Sequence, residues 1–275
     1  MEKGAAMVDA TAPLLQRREG AVLVLSNNNT AARNALSPAF YAALTAALAA
    51  AQDDPAVGAI VLTGEGGHFC AGGDLRQLAK RRELPVEERR AKLEGLHDLV
   101  RAVRGSGKPV IAAVEGAAAG AGLSLALACD MLVAARDAVF SVAYVKVGLT
   151  PDGGATAFLA EFVSRQVLTE LCLTGERISG ERLHALGAVN RLAEPGEALA
   201  GALALAASVA NGPQQAMARI KALCLAAPQA TLEEQLESEA QSMVLSQATE
   251  ESREGIAAFL EKRAPDYVRL RGPAG

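Results

Sequence analysis

The chain has 275 residues, of which 51% are hydrophobic and 21% are charged, a balance that provides an ordinary globular core. Its net charge of −4 and its aromatic content of 3% argue against the basic surface and stacking side chains of a nucleic-acid-binding protein. The apolar runs at residues 21–25 and 120–129 are too short to cross a bilayer, and no signal peptide is apparent. We therefore expect a cytoplasmic protein without a nucleic-acid or membrane partner.

The predicted elements alternate between strands and helices up to residue 196. Residues 1–10 predict a flexible N-terminal tail. A helix is predicted over residues 38–51, with Ser37 as N-cap and Pro38 at the first position, and an amphipathic helix over residues 86–104. Strands are predicted from apolar runs at residues 22–25, 59–63, 110–114, 131–134, 139–142 and 188–192. This alternation favours crossover connections and a largely parallel sheet in a core of residues 11–196.

Residues 197–275 predict a different organisation, because strand patterns stop there. Four helices are predicted, at residues 199–210, 213–226, 231–247 and 249–263. Thr231 and Glu234 have the spacing of a capping box at the start of the third helix. An all-helical C-terminal region of this kind is typical of an oligomerisation region.

Two glycine-rich turns, at residues 58–74 and 109–124, each follow a strand-like apolar run. In both turns, β-branched residues give way to small ones, which leave backbone N–H groups accessible to a ligand. The second turn leads into a helix, whose first N–H groups point at whatever occupies the turn. If the fold brings the turns together, two backbone amides can form an oxyanion hole.

Metal ligation is not indicated by the cysteines and histidines. The four cysteines lie far apart in apolar surroundings, which predicts buried free thiols. No two of the three histidines, His68, His97 and His184, have the spacing of metal ligands. We therefore expect no metal site.

Seven segments in order along the chain resemble the crotonase superfamily of enoyl-CoA hydratases and isomerases. They are residues 32–37, 69–75, 108–116, 128–130, 147–154, 173–179 and 259–263. The motif around residues 147–154 is most similar to that of the isomerases of phenylacetate pathways. The resemblance implies an α/β fold with a crotonase-like ββα spiral core and a C-terminal all-helical trimerisation region. It also implies a homotrimer or dimer of trimers that binds an acyl-CoA thioester, with no cofactor, because coenzyme A is part of the substrate.

Several residue roles follow from this resemblance. The N–H groups of Gly73 and Ala121 would bind the thioester oxygen; Ala121 stands where a glycine is common, but it keeps its N–H. The resemblance assigns coenzyme A contacts to four residues: the Ala71 carbonyl to the adenine, Arg33 to a phosphate, and Phe259 and Lys262 to the coenzyme A of a neighbouring subunit.

The acid–base residues of family hydratases are missing. Their two glutamates align with Ser124 and Tyr144, neither of which is a base near neutral pH without a partner. We interpret Ser124 as a packing or orienting hydroxyl and Tyr144 as a wall of the acyl pocket or a core residue. Asp152 is the remaining acid near the reacting centre, where isomerases of the family use an aspartate as proton shuttle. Its Pro-Asp-Gly-Gly context is also that of an ordinary turn.

Several functions therefore stay open. The leading hypothesis is an enoyl-CoA isomerase that moves one proton with Asp152 while Gly73 and Ala121 hold the dienolate. Alternatives are an enoyl-CoA hydratase, a thioester hydrolase using Ser124, and a coenzyme A ester-binding protein with little turnover. A dinucleotide-binding protein is disfavoured, because residues 120–125 do not form a G-x-G-x-x-G motif.

Other residues near these motifs are interpreted as structural or as pocket walls. Asp74 is expected to cap the following helix, Asp130 to be structural, Glu115 to lie outside the pocket, and His68 to lie in a solvated loop. An acyl pocket is predicted from Leu78, Val86, Leu96, Tyr144 and Phe158.

Overall fold

The computed structural model describes residues 11–272 of the chain. The flexible tail predicted for residues 1–10 lies outside this range. Within residues 11–272, no helix combines the length and the apolar composition that a bilayer crossing requires.

Strands form two sheets in the described part of the chain. Their bounds are β1 Leu14–Glu19, β2 Val22–Asn27, β3 Ala59–Gly64, β4 Val110–Val114, β5 Ala117–Ala119, β6 Met131–Ala135, β7 Val139–Ser141, β8 Arg177–Ser179 and β9 Arg191–Ala193. The larger sheet has the order β1-β2-β3-β4-β6-β9, and all its pairs are parallel except β1 with β2. In the smaller sheet, of order β5-β7-β8, β7 pairs parallel with β5 and antiparallel with β8. The predicted largely parallel sheet is confirmed.

The predicted strands differ from the observed ones where the apolar residues of the sequence do not coincide with the residues that pair in a sheet. Five of the six predicted runs coincide with β2, β3, β4, β6 and β7 to within two residues. The strand predicted at residues 188–192 exists but is displaced: Ala188 and Val189 are buried in the core, and β9 begins only at Arg191. Strands β1, β5 and β8 were not predicted, because β1 is mostly polar and the other two are very short.

Helices follow most strands of the core and make up the C-terminal region. Their bounds are α1 Pro38–Asp53, α2 Leu75–Arg81, α3 Val86–Gly105, α4 Ala121–Leu127, α5 Ala155–Ala160, α6 Arg165–Thr174, α7 Gly180–Ala185, α8 Ala198–Ala210, α9 Gln214–Ala226, α10 Leu232–Gln247 and α11 Glu250–Leu260. The predicted starts of α1 and α10 are confirmed: the Ser37 hydroxyl accepts from the Phe40 N–H, and Thr231 and Glu234 form a capping box.

The larger sheet is covered on both faces. Along β4, Val110, Ala112 and Val114 belong to the core cluster that includes the apolar faces of α1 and α3. Ile111 and Ala113 point the other way, into a second cluster with α8. A sheet that is buried on both faces needs strands whose side chains are apolar on both sides. Every residue of β4 is apolar and buried.

Helix α8 packs on the sheet although it belongs to the region predicted as a separate C-terminal unit. Ala202 and Ala206 are fully buried against the sheet residues of the second core cluster. The Glu115 carboxylate accepts hydrogen bonds from the Gly196 and Ala198 N–H groups, which fixes the start of α8. Glu115 therefore joins α8 to the end of β4, outside the site, as predicted.

Helices α9 to α11 extend from this core and leave a large apolar surface exposed. Lys221 of α9 forms an ion pair with Asp130 at 2.9 Å, and Asp130 also accepts from the Val110 N–H. The structural role predicted for Asp130 is confirmed. Large apolar side chains are exposed on α9 and α10, at Ile220, Leu232, Leu236, Met243, Val244 and Leu245. An oligomerisation region requires such a surface, and trimerisation itself stays a prediction.

The buried Glu254 carboxylate anchors the C-terminal segment to α11. It forms ion pairs with Arg263 and Arg269, both at 2.6 Å, and accepts from the Asp266 N–H. The hydrogen bond from Arg263, followed by those from Asp266 and Arg269, lowers the pKa of Glu254 to about 2. The ionised carboxylate is therefore the form that holds this segment in place.

We predict that Glu254→Gln lowers the free energy of unfolding at pH 7 and that this deficit shrinks as the pH falls. A carboxyl with a depressed folded-state pKa stabilises the fold above its unfolded pKa, and this contribution is lost as the pH falls from about 4.3 towards the folded value. Urea denaturation at pH 7 and pH 3 measures the deficit. Glu237→Gln, an exposed residue on α10, is the control. A deficit for Glu254→Gln that does not depend on pH would contradict this account.

Candidate active site

A buried asparagine fixes the first glycine-rich turn. The Asn34 amide donates to the carbonyls of Glu65 and His68, at 2.8 and 2.6 Å, and the side chain is fully buried. Arg33 and Asn34 both adopt the left-handed conformation, with φ of 49° and 59°, and asparagine tolerates it better than most residues. Sequence reasoning assigned no role to Asn34, although it lies in one of the seven matching segments.

The two glycine-rich turns lie against each other through backbone contacts. The Cys70 N–H donates to the Ala117 carbonyl at 2.9 Å, and the Ala119 N–H donates to the Cys70 carbonyl at 3.0 Å. Gly122, at the start of α4, allows this approach, because a Cβ on it would lie 2.4 Å from the Cys70 oxygen. The structure thus brings together the two segments on which an oxyanion hole depends.

Two backbone N–H groups of the described residues have no hydrogen-bond acceptor where the two turns meet. Within residues 11–272, neither the Gly73 N–H nor the Ala121 N–H donates a hydrogen bond. Ala121 is the first residue of α4, so its N–H has no partner within the helix. A Cβ on Gly72 would lie 3.6 Å from the Ala121 nitrogen, which shows how near the first turn comes to it. The pair can stabilise negative charge on an oxygen placed between the turns.

Asp152 is held beside the second turn by two hydroxyl groups. The Tyr144 hydroxyl donates to the carboxyl Oδ1 of Asp152 at 2.7 Å, and the Ser124 hydroxyl donates to its backbone carbonyl at 2.9 Å. Gly153, with φ of 60°, allows Ser124 to approach, since a Cβ there would lie 3.1 Å from the Ser124 Cβ. The orienting role predicted for Ser124 agrees with this contact, whereas sequence reasoning missed the bond from Tyr144.

Tyr144 lies between Asp152 and the second turn. It belongs to a 3-10 helix, Ala143–Val147, and is 9% exposed. A Cβ on Gly120 would lie 3.7 Å from the ring carbon that carries the hydroxyl. Tyr144 therefore packs against the residue that precedes the Ala121 donor while it bonds the Asp152 carboxyl.

The protonation states at this site follow from burial and from nearby charges. Burial raises the pKa of Asp152, and this effect exceeds the lowering by the Tyr144 hydrogen bond and by the electrostatic influence of His97 and Arg81. Burial, followed by the charge of Asp152, raises the pKa of Tyr144 above its ordinary value. Burial likewise raises the pKa of the neighbouring Tyr41 to about 12. Both phenols keep their protons near neutral pH, and Tyr144 stays a donor.

The predicted wall residues of an acyl pocket are only partly brought together. Leu78 lies 3.4 Å from the Cβ position of Gly73, and Leu96 lies 3.3 Å from that of Gly153. Phe158 packs beneath the Asp152 turn, and the Arg104 guanidinium lies 4.7 Å from its ring centroid. Val86, which is 64% exposed at the start of α3, is open to solvent.

The residues expected to contact coenzyme A lie in two places. Ala71 and Arg33 are joined by a backbone hydrogen bond of 2.9 Å, and the Arg33 side chain is exposed. Phe259, which is 83% exposed, and Lys262 lie at the C-terminal end of α11. Their predicted contacts with a neighbouring subunit's coenzyme A stay predictions.

Other polar residues near the turns are structural. Asp74 accepts from the Arg76 and Gln77 N–H groups, so its predicted role as helix cap is confirmed. The solvated loop predicted for His68 is wrong: the residue is half-buried, and its Nδ1 accepts from the Ala117 N–H at 3.3 Å. His68 thus adds a side-chain link between the two turns.

The cysteines are free thiols in the described residues, as predicted, but not all are buried. Cys70 is fully enclosed, and burial raises its pKa to about 12. Cys224 is exposed on α9, because its helix packs on the core only through other residues. A buried thiol with a high pKa is unreactive, so Cys70 fills space under the first turn.

Comparison with known proteins identifies the family. The family model "Enoyl-CoA hydratase/isomerase" matches residues 17–269. The chain is 34% identical to the 2,3-dehydroadipyl-CoA hydratase of Escherichia coli over 92% of its own length and 98% of the relative's. It is also 34% identical to the 1,2-epoxyphenylacetyl-CoA isomerase of the same organism, with coverage of 93% and 98%.

Solved structures give the same result. The crystal structure of an enoyl-CoA hydratase from Polaromonas sp. JS666 has a TM-score of 0.90 and 47% identity, and it covers 92% of this chain and 98% of its own. The predicted crotonase-like α/β fold with a helical C-terminal region is thereby confirmed. The chain belongs to the enoyl-CoA hydratase/isomerase family of the crotonase superfamily, whose members are acyl-CoA enzymes.

Proposed function

We propose that this enzyme is an enoyl-CoA isomerase that moves a double bond by transferring one proton through Asp152. The observation that carries the proposal is the Asp152 carboxyl, held by the Tyr144 hydroxyl beside the two free backbone donors. Isomerisation needs one group that takes up and returns a proton, and it consumes no water. One half-buried carboxyl with a raised pKa is suited to both steps.

In the proposed reaction the Asp152 carboxylate removes a proton from C2 of a 3-enoyl-CoA. The C2–H electron pair moves into the conjugated system, and negative charge collects on the thioester oxygen. The Gly73 and Ala121 N–H groups stabilise that oxygen as a dienolate. Asp152 then returns the proton to C4, which gives the 2-enoyl-CoA and regenerates the carboxylate.

The substrate-binding part of the proposal follows the family. Arg33 and Ala71 would contact coenzyme A from the same chain, and Phe259 and Lys262 from a neighbouring subunit of a homotrimer or dimer of trimers. The exposed apolar side chains of α9 and α10 support such an assembly. Its mass in solution, measured by light scattering, tests this point.

A hydratase is the second candidate, because most of the similar proteins carry hydratase names. Water addition needs a group that activates water and an acid that protonates the α-carbon. At the two positions where family hydratases carry glutamate, Ser124 and Tyr144 use their hydroxyl protons to bond Asp152. This arrangement favours isomerisation over hydration.

We predict that Asp152→Asn lowers kcat for conversion of a 3-enoyl-CoA by about 10²–10⁴-fold, the usual contribution of a general acid–base group. Binding of a coenzyme A ester should persist, because the backbone donors remain. Ultraviolet absorbance of the conjugated product measures turnover, and calorimetry measures binding. Asp98→Asn, an exposed residue on α3, is the control. Unchanged isomerisation by Asp152→Asn would remove Asp152 from the mechanism.

We predict that Ala121→Pro lowers kcat by about 10²–10³-fold, because proline lacks the N–H that binds the oxyanion. Proline suits the first position of a helix, which Ala121 occupies in α4. Ala121→Gly keeps the N–H and should retain most of the activity. Equal losses in the two variants would show that the side chain matters rather than the donor.

The same kinetic assay separates the two candidate functions. With a 2-enoyl-CoA as substrate, hydration removes the conjugated absorbance, whereas the proposed isomerase leaves it largely unchanged. Rapid and complete loss of that absorbance would make hydratase the better assignment.

A further inference from the structure

Tyr144 is the side chain that limits how the Asp152 carboxyl can turn. Its hydroxyl occupies Oδ1 at 2.7 Å, and within residues 11–272 no side chain or backbone group bonds Oδ2. The ring is buried and packs against Gly120 of the second turn, which limits the movement of the phenol. Ser124 fixes the other end of the residue through the Asp152 carbonyl.

The charged and titratable groups around Asp152 come from several elements. Tyr41 of α1, Arg81 at the end of α2 and His97 of α3 all influence the carboxyl or are influenced by it. His97 itself contacts Glu94 at 3.3 Å, an ion pair when the imidazole is protonated. Tyr144 differs from these groups because it makes a direct hydrogen bond to the carboxyl.

We propose that Tyr144 is a positioning residue for the isomerisation: its phenol holds Oδ1 of Asp152 so that Oδ2 takes the substrate proton and returns it. This inference rests on the proposed function. It assigns to Tyr144 a role beyond a pocket wall, since the hydroxyl rather than the ring is what matters. The two oxygens of the carboxyl thereby have separate tasks, one for anchoring and one for proton transfer.

Two consequences separate this role from simple packing. A donor to the carboxylate favours its charged form, so removal of the hydroxyl makes Asp152 harder to ionise. The pH below which kcat/KM falls should therefore move upward. A freely turning carboxyl also spends less time in the productive orientation, so kcat should fall even at high pH, while KM changes little.

The test compares Tyr144→Phe with Tyr41→Phe across pH 5–9 on a 3-enoyl-CoA substrate. For Tyr144→Phe we expect kcat on the high-pH plateau to fall about tenfold, as for loss of one hydrogen bond to a charged group. We also expect the acid limb of its pH profile, where kcat/KM falls as the pH decreases, to shift to higher pH. Tyr41→Phe removes the same atom from a neighbouring tyrosine that does not bond Asp152, and it should leave the limb in place.

A second variant at position 144 should shift the acid limb of the pH profile in the opposite direction from Tyr144→Phe. Fluorotyrosine incorporated at position 144 keeps the ring and the hydroxyl but makes the phenol a stronger donor, so the acid limb should move to lower pH. A purely structural role for Tyr144 would not produce opposite shifts in these two variants. Thermal unfolding of each variant confirms that the folded state is being measured.

The outcomes distinguish this inference from the proposed function. Opposite shifts for the two position-144 variants, with no shift for Tyr41→Phe, support the positioning role. An unchanged limb and plateau in Tyr144→Phe, while Asp152→Asn is inactive, would overturn the inference and leave the isomerase assignment standing. Full activity of Asp152→Asn would overturn both.

Discussion

The close contact between Cys70 and the second glycine-rich turn is the constraint on which the site depends. Two backbone hydrogen bonds join Cys70 to β5, and Gly122 has no side chain where the Cys70 carbonyl comes nearest. Because the backbones approach so closely, the contact requires glycine at Gly122 and Gly72, where a Cβ would lie 2.4 Å from the Cys70 oxygen and 2.5 Å from the Ala119 oxygen. The Gly73 and Ala121 N–H groups, neither of which donates a hydrogen bond within residues 11–272, belong to the two turns that this contact joins.

In the proposed reaction, the pKa of Asp152 depends on two opposing effects, burial and hydrogen bonding. Burial makes the carboxyl a better base by raising its pKa, and the Tyr144 hydrogen bond limits that rise while fixing one oxygen. Ser124 and Tyr144, which the resemblance aligns with the two glutamates of family hydratases, both donate to Asp152. In the proposed function, two hydroxyls that orient one acid favour the transfer of a single proton.

The sequence predicted local features well and long-range ones poorly. The glycine-rich turns, the buried strands β2, β3, β4 and β6, and the Asp74 cap depend on neighbouring residues, and all were predicted. The Tyr144–Asp152 bond was missed, because it depends on how the turn around Gly153 packs against Ser124. Strand β1 was missed for a related reason: its polar side chains face solvent, and only its pairing with β2 makes it a strand.

The most direct test of the account is a crystal structure of the Asp152→Asn enzyme with a bound 3-enoyl-CoA. We predict that the thioester oxygen lies within about 2.7–3.1 Å of both the Gly73 and the Ala121 nitrogen atoms. We also predict that the side chain at position 152 lies within about 3.5 Å of both C2 and C4 of the acyl group. A thioester oxygen bound away from either nitrogen, or an acyl chain that does not approach position 152, would contradict this account.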